Sequence, residues 1–188
     1  MTVLVAYGTT NGSTAEIARW IGAELVAAGL VVEVRPAAEV RDVDGYEGVV
    51  LGAAVYMAGW HRDARSFAHR FAGRLAHRPV WLFSSGPLDR SAEEGEVPPS
   101  PQAEAALRAL QGRGHVTFGG RLSPDAHGWL GLVARRMAGE GHGGDFRNPE
   151  RVRAWARQIA AETLAARPPT GQAAGGTRAD TTRRSSQR

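Results

Sequence analysis

Five short apolar runs alternate with stretches of helical spacing, and that alternation limits this chain to very few folds. The runs span residues 2–7, 31–35, 48–53, 79–84 and 115–119. Near-continuous apolar character, rather than an in–out alternation, marks strands buried on both faces of a parallel sheet. Between the first two runs, Ile17, Ile21 and Leu25 form one helical stripe that ends at Gly29, a left-handed cap. Between the third and fourth, Ala64, Phe67, Phe71 and Leu75 recur at helical spacing. Residues 103–110 make a short helix behind a Glu/Pro-rich loop at 92–101. The last helix opens with Asn148 as N-cap, Pro149 and Glu150, and its stripe is Val152, Trp155, Ile159 and Thr163. The stretch after the second strand has room for one turn at most. The expected fold is α/β: a doubly wound five-stranded parallel sheet in the order 2-1-3-4-5, with helices on both faces.

Composition narrows the chemistry. All 23 basic residues are arginine and there is no cysteine. Schiff bases, lysine phosphate grips, disulfides, thiolate nucleophiles and cysteine-bound metals are therefore excluded. Residues 1–166 hold 18 arginines and 18 acidic residues, so the high isoelectric point comes from residues 167–188, with five arginines and one aspartate. That segment lacks large apolar side chains and is expected to be a disordered basic tail behind a domain spanning 1–166. A neutral body gives no reason to expect a nucleic-acid partner. No signal-peptide pattern opens the chain and no apolar run reaches membrane-spanning length, so a cytoplasmic location is expected.

In a doubly wound sheet, ligands bind at the carboxyl ends of the strands, beside the first and third. There the sequence reads Thr9, Thr10, Asn11, Gly12, Ser13, Thr14, just before the first helix. Hydroxyls and helix N-terminal amides suit a phosphate, and Gly12 allows close approach. The P-loop lysine and the GxGxxG spacing are both absent, which favours a monophosphate; an ordinary N-cap loop is the alternative. After the third strand come Ala53, Ala54, Val55, Tyr56 and Trp60, and after the fourth Ser84, Ser85, Gly86 and Pro87. Both loops lie where a flat ring system would sit if its phosphate occupied the first loop.

The pattern Tyr7-x-Thr9-x-x-Gly12-x-Thr14-x-x-Ile17-Ala18 resembles the FMN phosphate loop of flavodoxin-like proteins. Within that superfamily the chain is most similar to the menaquinone-dependent protoporphyrinogen oxidase family and its flavodoxin-domain relatives. The similarity extends over GAAVYMAGWH and over residues 118–160, which resemble that family's insertion before the last helix, placed here at about 121–146. The resemblance implies FMN as cofactor. It implies that Thr9, Thr10, Asn11, Gly12, Ser13 and Thr14 hold the phosphate. Ala53, Ala54, Val55 and Tyr56 would line one side of the isoalloxazine, and Ser85, Gly86 and Pro87 another, with Gly119 and Gly120 near the same edge.

It further implies an oxidoreductase that passes electrons from an organic substrate, a porphyrinogen in that family, to a quinone. Arg62, Arg90, Arg121, Arg135 and Arg136 are available for substrate propionates, and His61 is the candidate for proton transfer. In the insertion, Trp129, Leu130, Val133 and Met137 fall on one helical flank, which fits either peripheral contact with a quinone-bearing membrane or packing on the domain edge. Two other functions stay open: a flavodoxin-type electron carrier, and an interaction module without turnover. A carrier usually shows a strongly acidic face, which this body lacks.

Overall fold

The computed structural model describes residues 1–56, 59–89, 91–121 and 144–166. Its strands are β1 (Thr2–Gly8), β2 (Val31–Pro36), β3 (Gly48–Tyr56), β4 (Gly59–Trp60), β5 (Val80–Ser85) and β6 (Gly114–Phe118). The helices are α1 (Ser13–Ala27), α2 (Arg62–Leu75), α3 (Ser91–Glu94), α4 (Pro101–Ala109) and α5 (Pro149–Ala165). The long strands pair in parallel in the order β2-β1-β3-β5-β6. With the two-residue β4 set aside, this is the expected 2-1-3-4-5.

Alternate residues of each strand face opposite layers. Val3, Val5, Val50, Trp81, Phe83 and Phe118 meet Ile17, Ile21 and Leu25 of α1 and Val152 and Ile159 of α5. Leu4, Leu51 and Leu82 meet Phe67, Phe71 and Leu75 of α2 and Ala103 of α4. The Phe67 and Phe71 rings pack edge to face with centroids 5.0 Å apart, an arrangement worth about 1 kcal/mol beyond the area it buries.

The expected stripes are buried, except that Trp155 is only partly covered and Ala156 and Ala160 share its face. The Asn148 side chain accepts from Arg151 N at 3.1 Å, and Gly29 ends α1 at φ +89°.

Two local differences separate the structure from the sequence-based expectation. First, β3 runs on to Tyr56 because β4 folds back antiparallel on its end, pairing Val55 with Trp60 and Tyr56 with Gly59. Second, α3 forms one unexpected turn inside the Glu/Pro-rich loop. As expected, residues 37–47 form no helix, and Ala37, Val40 and Val43 are buried beneath the sheet layer. Arg70 donates to the carbonyls of Ala37 (3.3 Å) and Val40 (2.9 Å), and Arg78 to those of Val43 and Tyr46. Those guanidinium groups satisfy carbonyls that a helix would have paired internally.

The expected insertion helix, with Trp129, Leu130, Val133, Arg135, Arg136 and Met137, lies outside the described residues, as do Arg90 and the tail at 167–188. Among the described residues, no helix is long and apolar enough to cross a membrane.

Candidate functional site

Strand register gathers the predicted residues at one end of the sheet. Gly8 stands opposite Ala53, Ala53 opposite Ser84, Ala54 opposite Ser85, and Ser85 opposite Phe118. The loops after β1, β3 and β5 therefore leave the sheet side by side.

In the first loop, Gly12 sits at φ +82°, ψ −13°, a left-handed conformation that suits glycine, and its N–H donates to Thr9 Oγ1 at 3.1 Å. The first intrahelical bond runs from Glu16 N to Gly12 O at 3.2 Å. The N–H groups of Ser13, Thr14 and Ala15 thus precede the helical ladder. No side chain caps α1, whereas His61, Ser100 and Asn148 cap α2, α4 and α5. Thr14 is fully buried, and its Oγ1 has no hydrogen-bond partner. A buried hydroxyl left this way costs about 1–3 kcal/mol. Ser13, also buried, accepts from Arg121 N at 3.2 Å through its Oγ and keeps its own O–H to donate. Asn11 is half-buried and Thr10 exposed at the tip.

The other two loops touch each other. A Cβ on Gly86 would lie 3.2 Å from Val55 Cβ, so glycine lets the β5 loop close on the β3 end. Gly86 N donates to Phe118 O (3.0 Å), and Gly120 N to Pro87 O (2.9 Å). Val55, Tyr56, Gly86 and Pro87 are half-buried around the opening; Ala54 and Ser85 are buried. Ala53 is fully buried in the core beneath α2, so toward the opening it offers backbone only.

Trp60, expected beside the ring system, instead turns into the α2-side core at 2% exposure. Its Nε1 donates to Ser84 Oγ at 3.0 Å, and Ser84 is bonded in turn to His115 Nε2 at 2.8 Å. An indole in a glycine-flanked loop gave no sequence signal of which way it turns. Burial pushes the His115 pKa down to about 4, so the ring is neutral at pH 7.

His61 lies between two loops: its backbone N–H donates to Ala54 O (2.9 Å), and its Nε2 is 3.2 Å from Thr10 Oγ1. Burial also lowers the His61 pKa.

A charge cluster that sequence reading missed braces the phosphate loop. Glu16, in the first turn of α1, pairs with Arg121 beyond β6 (2.8 Å) and Arg147 ahead of α5 (2.5 Å). Arg147 also grips Asp145 (2.5 Å), and its guanidinium lies 5.0 Å from the Trp20 ring centroid. Burial would raise the Glu16 pKa, but the two guanidinium groups outweigh it and hold the carboxyl below its usual range. Arg121, foreseen as a substrate contact, is therefore committed to Glu16. Arg62 is 85% exposed, 3.6 Å from Asp63. Among the described residues, no cluster of three or more His, Asp or Glu side chains could hold a metal ion.

This is a site with unclaimed N–H and O–H donors at one helix end and two touching loops beside it. The comparisons with known proteins agree with that character. A family model described as a flavodoxin domain matches residues 4–137. Protoporphyrinogen IX dehydrogenase [quinone] of Escherichia coli K12 is 24% identical over 172 residues, which cover 85% of this chain and 95% of that one. Oxidised flavodoxin 2 from Bacillus cereus superposes with a TM-score of 0.58 at 18% identity, covering 86% of this chain and 99% of that one. A Pseudomonas aeruginosa flavodoxin variant gives 0.56 at 15% identity, over 87% and 99%. The chain belongs to the flavodoxin-domain family, whose cofactor, FMN, is the one that this loop chemistry fits.

Proposed function

We propose that this protein is an FMN-dependent oxidoreductase that takes electron pairs from a porphyrinogen-like substrate and delivers them to a quinone. The observation that carries the cofactor half is the fully buried Thr14 hydroxyl, without a partner, in the first turn of an uncapped helix. A dianionic phosphate there would accept from Thr14 and from the free amides of the first turn, helped by the helix dipole. Thr9, Thr10, Asn11, Gly12 and Ser13 complete the phosphate cradle. Ala53 (through its backbone), Ala54, Val55 and Tyr56 would bound the ring on one side, and Ser85, Gly86 and Pro87 on the other.

When bound, FMN supplies the two-electron exchange. The protein's part is to orient and enclose. Val55 and Pro87 would shield the ring edge from water, and Gly86 would present backbone to its polar atoms. The substrate half is supported by the similarity to the Escherichia coli dehydrogenase over nearly that protein's whole length, and by the balance of charges in residues 1–166, which does not suit a carrier that docks through an acidic face.

The test is an anaerobic assay of the FMN-loaded protein with protoporphyrinogen IX and a menaquinone analogue. Porphyrin fluorescence rising in step with quinone reduction is the expected result. FMN bound, with electrons passing only to a protein partner, makes the chain a carrier. Failure to bind FMN under any condition leaves an interaction module.

A further inference from the structure

His61, the candidate for proton transfer, makes contacts that point to a further task. Its Nδ1 lies 3.3 Å from Asp63 N, which can only donate, so Nδ1 must accept and carry no hydrogen. A neutral imidazole then keeps its hydrogen on Nε2, the nitrogen 3.2 Å from Thr10 Oγ1. Thr10 Oγ1 is therefore an acceptor in that contact, and its own O–H is left to donate elsewhere. Thr10 is at the tip of the phosphate loop and exposed, so that donor is open to an anion bound at the loop.

The arrangement is tightly seated. A Cβ on Gly8 would come within 2.8 Å of His61 Nδ1 and 3.2 Å of Ala64 N, so the bare end of β1 is what admits the ring. The Tyr56 ring stands edge-on to the imidazole with centroids 6.4 Å apart. The charged groups facing it are Asp63, 3.8 Å from Nδ1, and the more distant Arg62 and Arg65 of α2. The two arginines and the burial oppose a charged ring, and Asp63 favours one. Protonation would set an Nδ1–H against the Asp63 N–H and remove the α2 cap.

We propose that His61 is a positioning residue for the cofactor's phosphate: the first turn of α2 fixes its Nε2–H form, which holds the Thr10 hydroxyl as a donor to the anion. This rests on the FMN reading above. It makes the α2 cap and the phosphate loop one unit, so that the α1 and α2 N-termini serve the same ligand.

His61→Asn separates the two roles. Asparagine is a good N-cap and can still accept from Asp63 N, but it is too short to reach Thr10. The binding probes are FMN and riboflavin, which share the ring and differ in the phosphate. His61→Asn should weaken FMN about tenfold, as one lost hydrogen bond to an ion would, and leave riboflavin affinity unchanged. Thr10→Val should do the same, and the double variant should be no weaker than Thr10→Val alone. In the 15N-labelled wild-type apoprotein, the imidazole resonance that disappears in His61→Asn should show hydrogen on Nε2.

Hydrogen on Nδ1, equal losses for FMN and riboflavin, or additive effects in the double variant would each overturn the positioning role while leaving the FMN reading intact. Wild-type protein that binds neither flavin overturns both.

Discussion

The buried Thr14 hydroxyl has no partner within the protein, and removing it should have two consequences of opposite sign. Thr14→Val keeps the shape and removes the orphaned hydroxyl. The apoprotein should gain about 1 kcal/mol in urea denaturation, since an unsatisfied buried group is deleted, while FMN affinity falls about tenfold. A variant that loses stability would show that the hydroxyl has a partner in solution. Thr9 is a poorer probe, because its Oγ1 already holds Gly12 N and its loss would loosen the loop itself.

His115 gives a second residue-scale expectation. Its folded pKa of about 4 lies below the ordinary 6.5, so the unfolded chain binds more protons between those values. The stability that the neutral ring contributes is fully present above pH 6.5 and is lost as pH falls toward 4. At pH 5 the loss should be on the order of 1–2 kcal/mol, allowing for the ring's partial exposure. His115→Gln can still bond Ser84, and should flatten that part of the pH–stability curve. An identical slope in the variant would put the titration elsewhere.

At the scale of elements, the five long strands and the long helices of the described residues were legible because each is written locally. Ile17, Ile21 and Leu25 show a helix by spacing alone, and the hydroxyl run between β1 and α1 suits a phosphate by composition. Pairings across the fold were not legible. Glu16 meets Arg147 from 131 residues away, and nothing in either neighbourhood announces it in a chain with 23 arginines. Trp60 turned inward for the same reason: a loop's residue types do not tell which side chains turn into the core.

The unforeseen cluster is also where the elements depend on one another, since it ties the first turn of α1 to the segments beyond β6 and before α5. Arg147→Met would keep the contact with Trp20 and strand Asp145, while Glu16 would keep Arg121. Destabilisation of about 2 kcal/mol is expected, below the full cost of breaking a buried pair because one guanidinium remains. FMN binding should weaken as well, since Ser13 is held by the Arg121 backbone at the same junction. A variant that loses stability but binds FMN normally would limit the cluster to a structural brace.

At the scale of the molecule, the question is how electrons leave, and charge separates the answers. A carrier that finds its partner through a charged face loses encounter rate steeply as salt screens it, often by an order of magnitude or more. Residues 1–166 balance 18 arginines against 18 acidic residues, which leaves little net field to screen. A quinone is neutral, so its kcat/KM should change by less than about twofold between roughly 0.02 M and 0.5 M salt, a range over which the screening length falls several-fold. A porphyrinogen carries propionates, and arginines at the mouth such as the exposed Arg62 would attract them. Its kcat/KM should therefore decline with salt through KM, with kcat unchanged. Removing the basic segment 167–188 should leave both dependences in place if the steering charge belongs to residues 1–166. A flat quinone arm beside a falling porphyrinogen arm is what a small-molecule oxidoreductase requires. The reverse, slow salt-independent quinone reduction beside fast salt-sensitive transfer to a charged protein, would make the same fold a carrier.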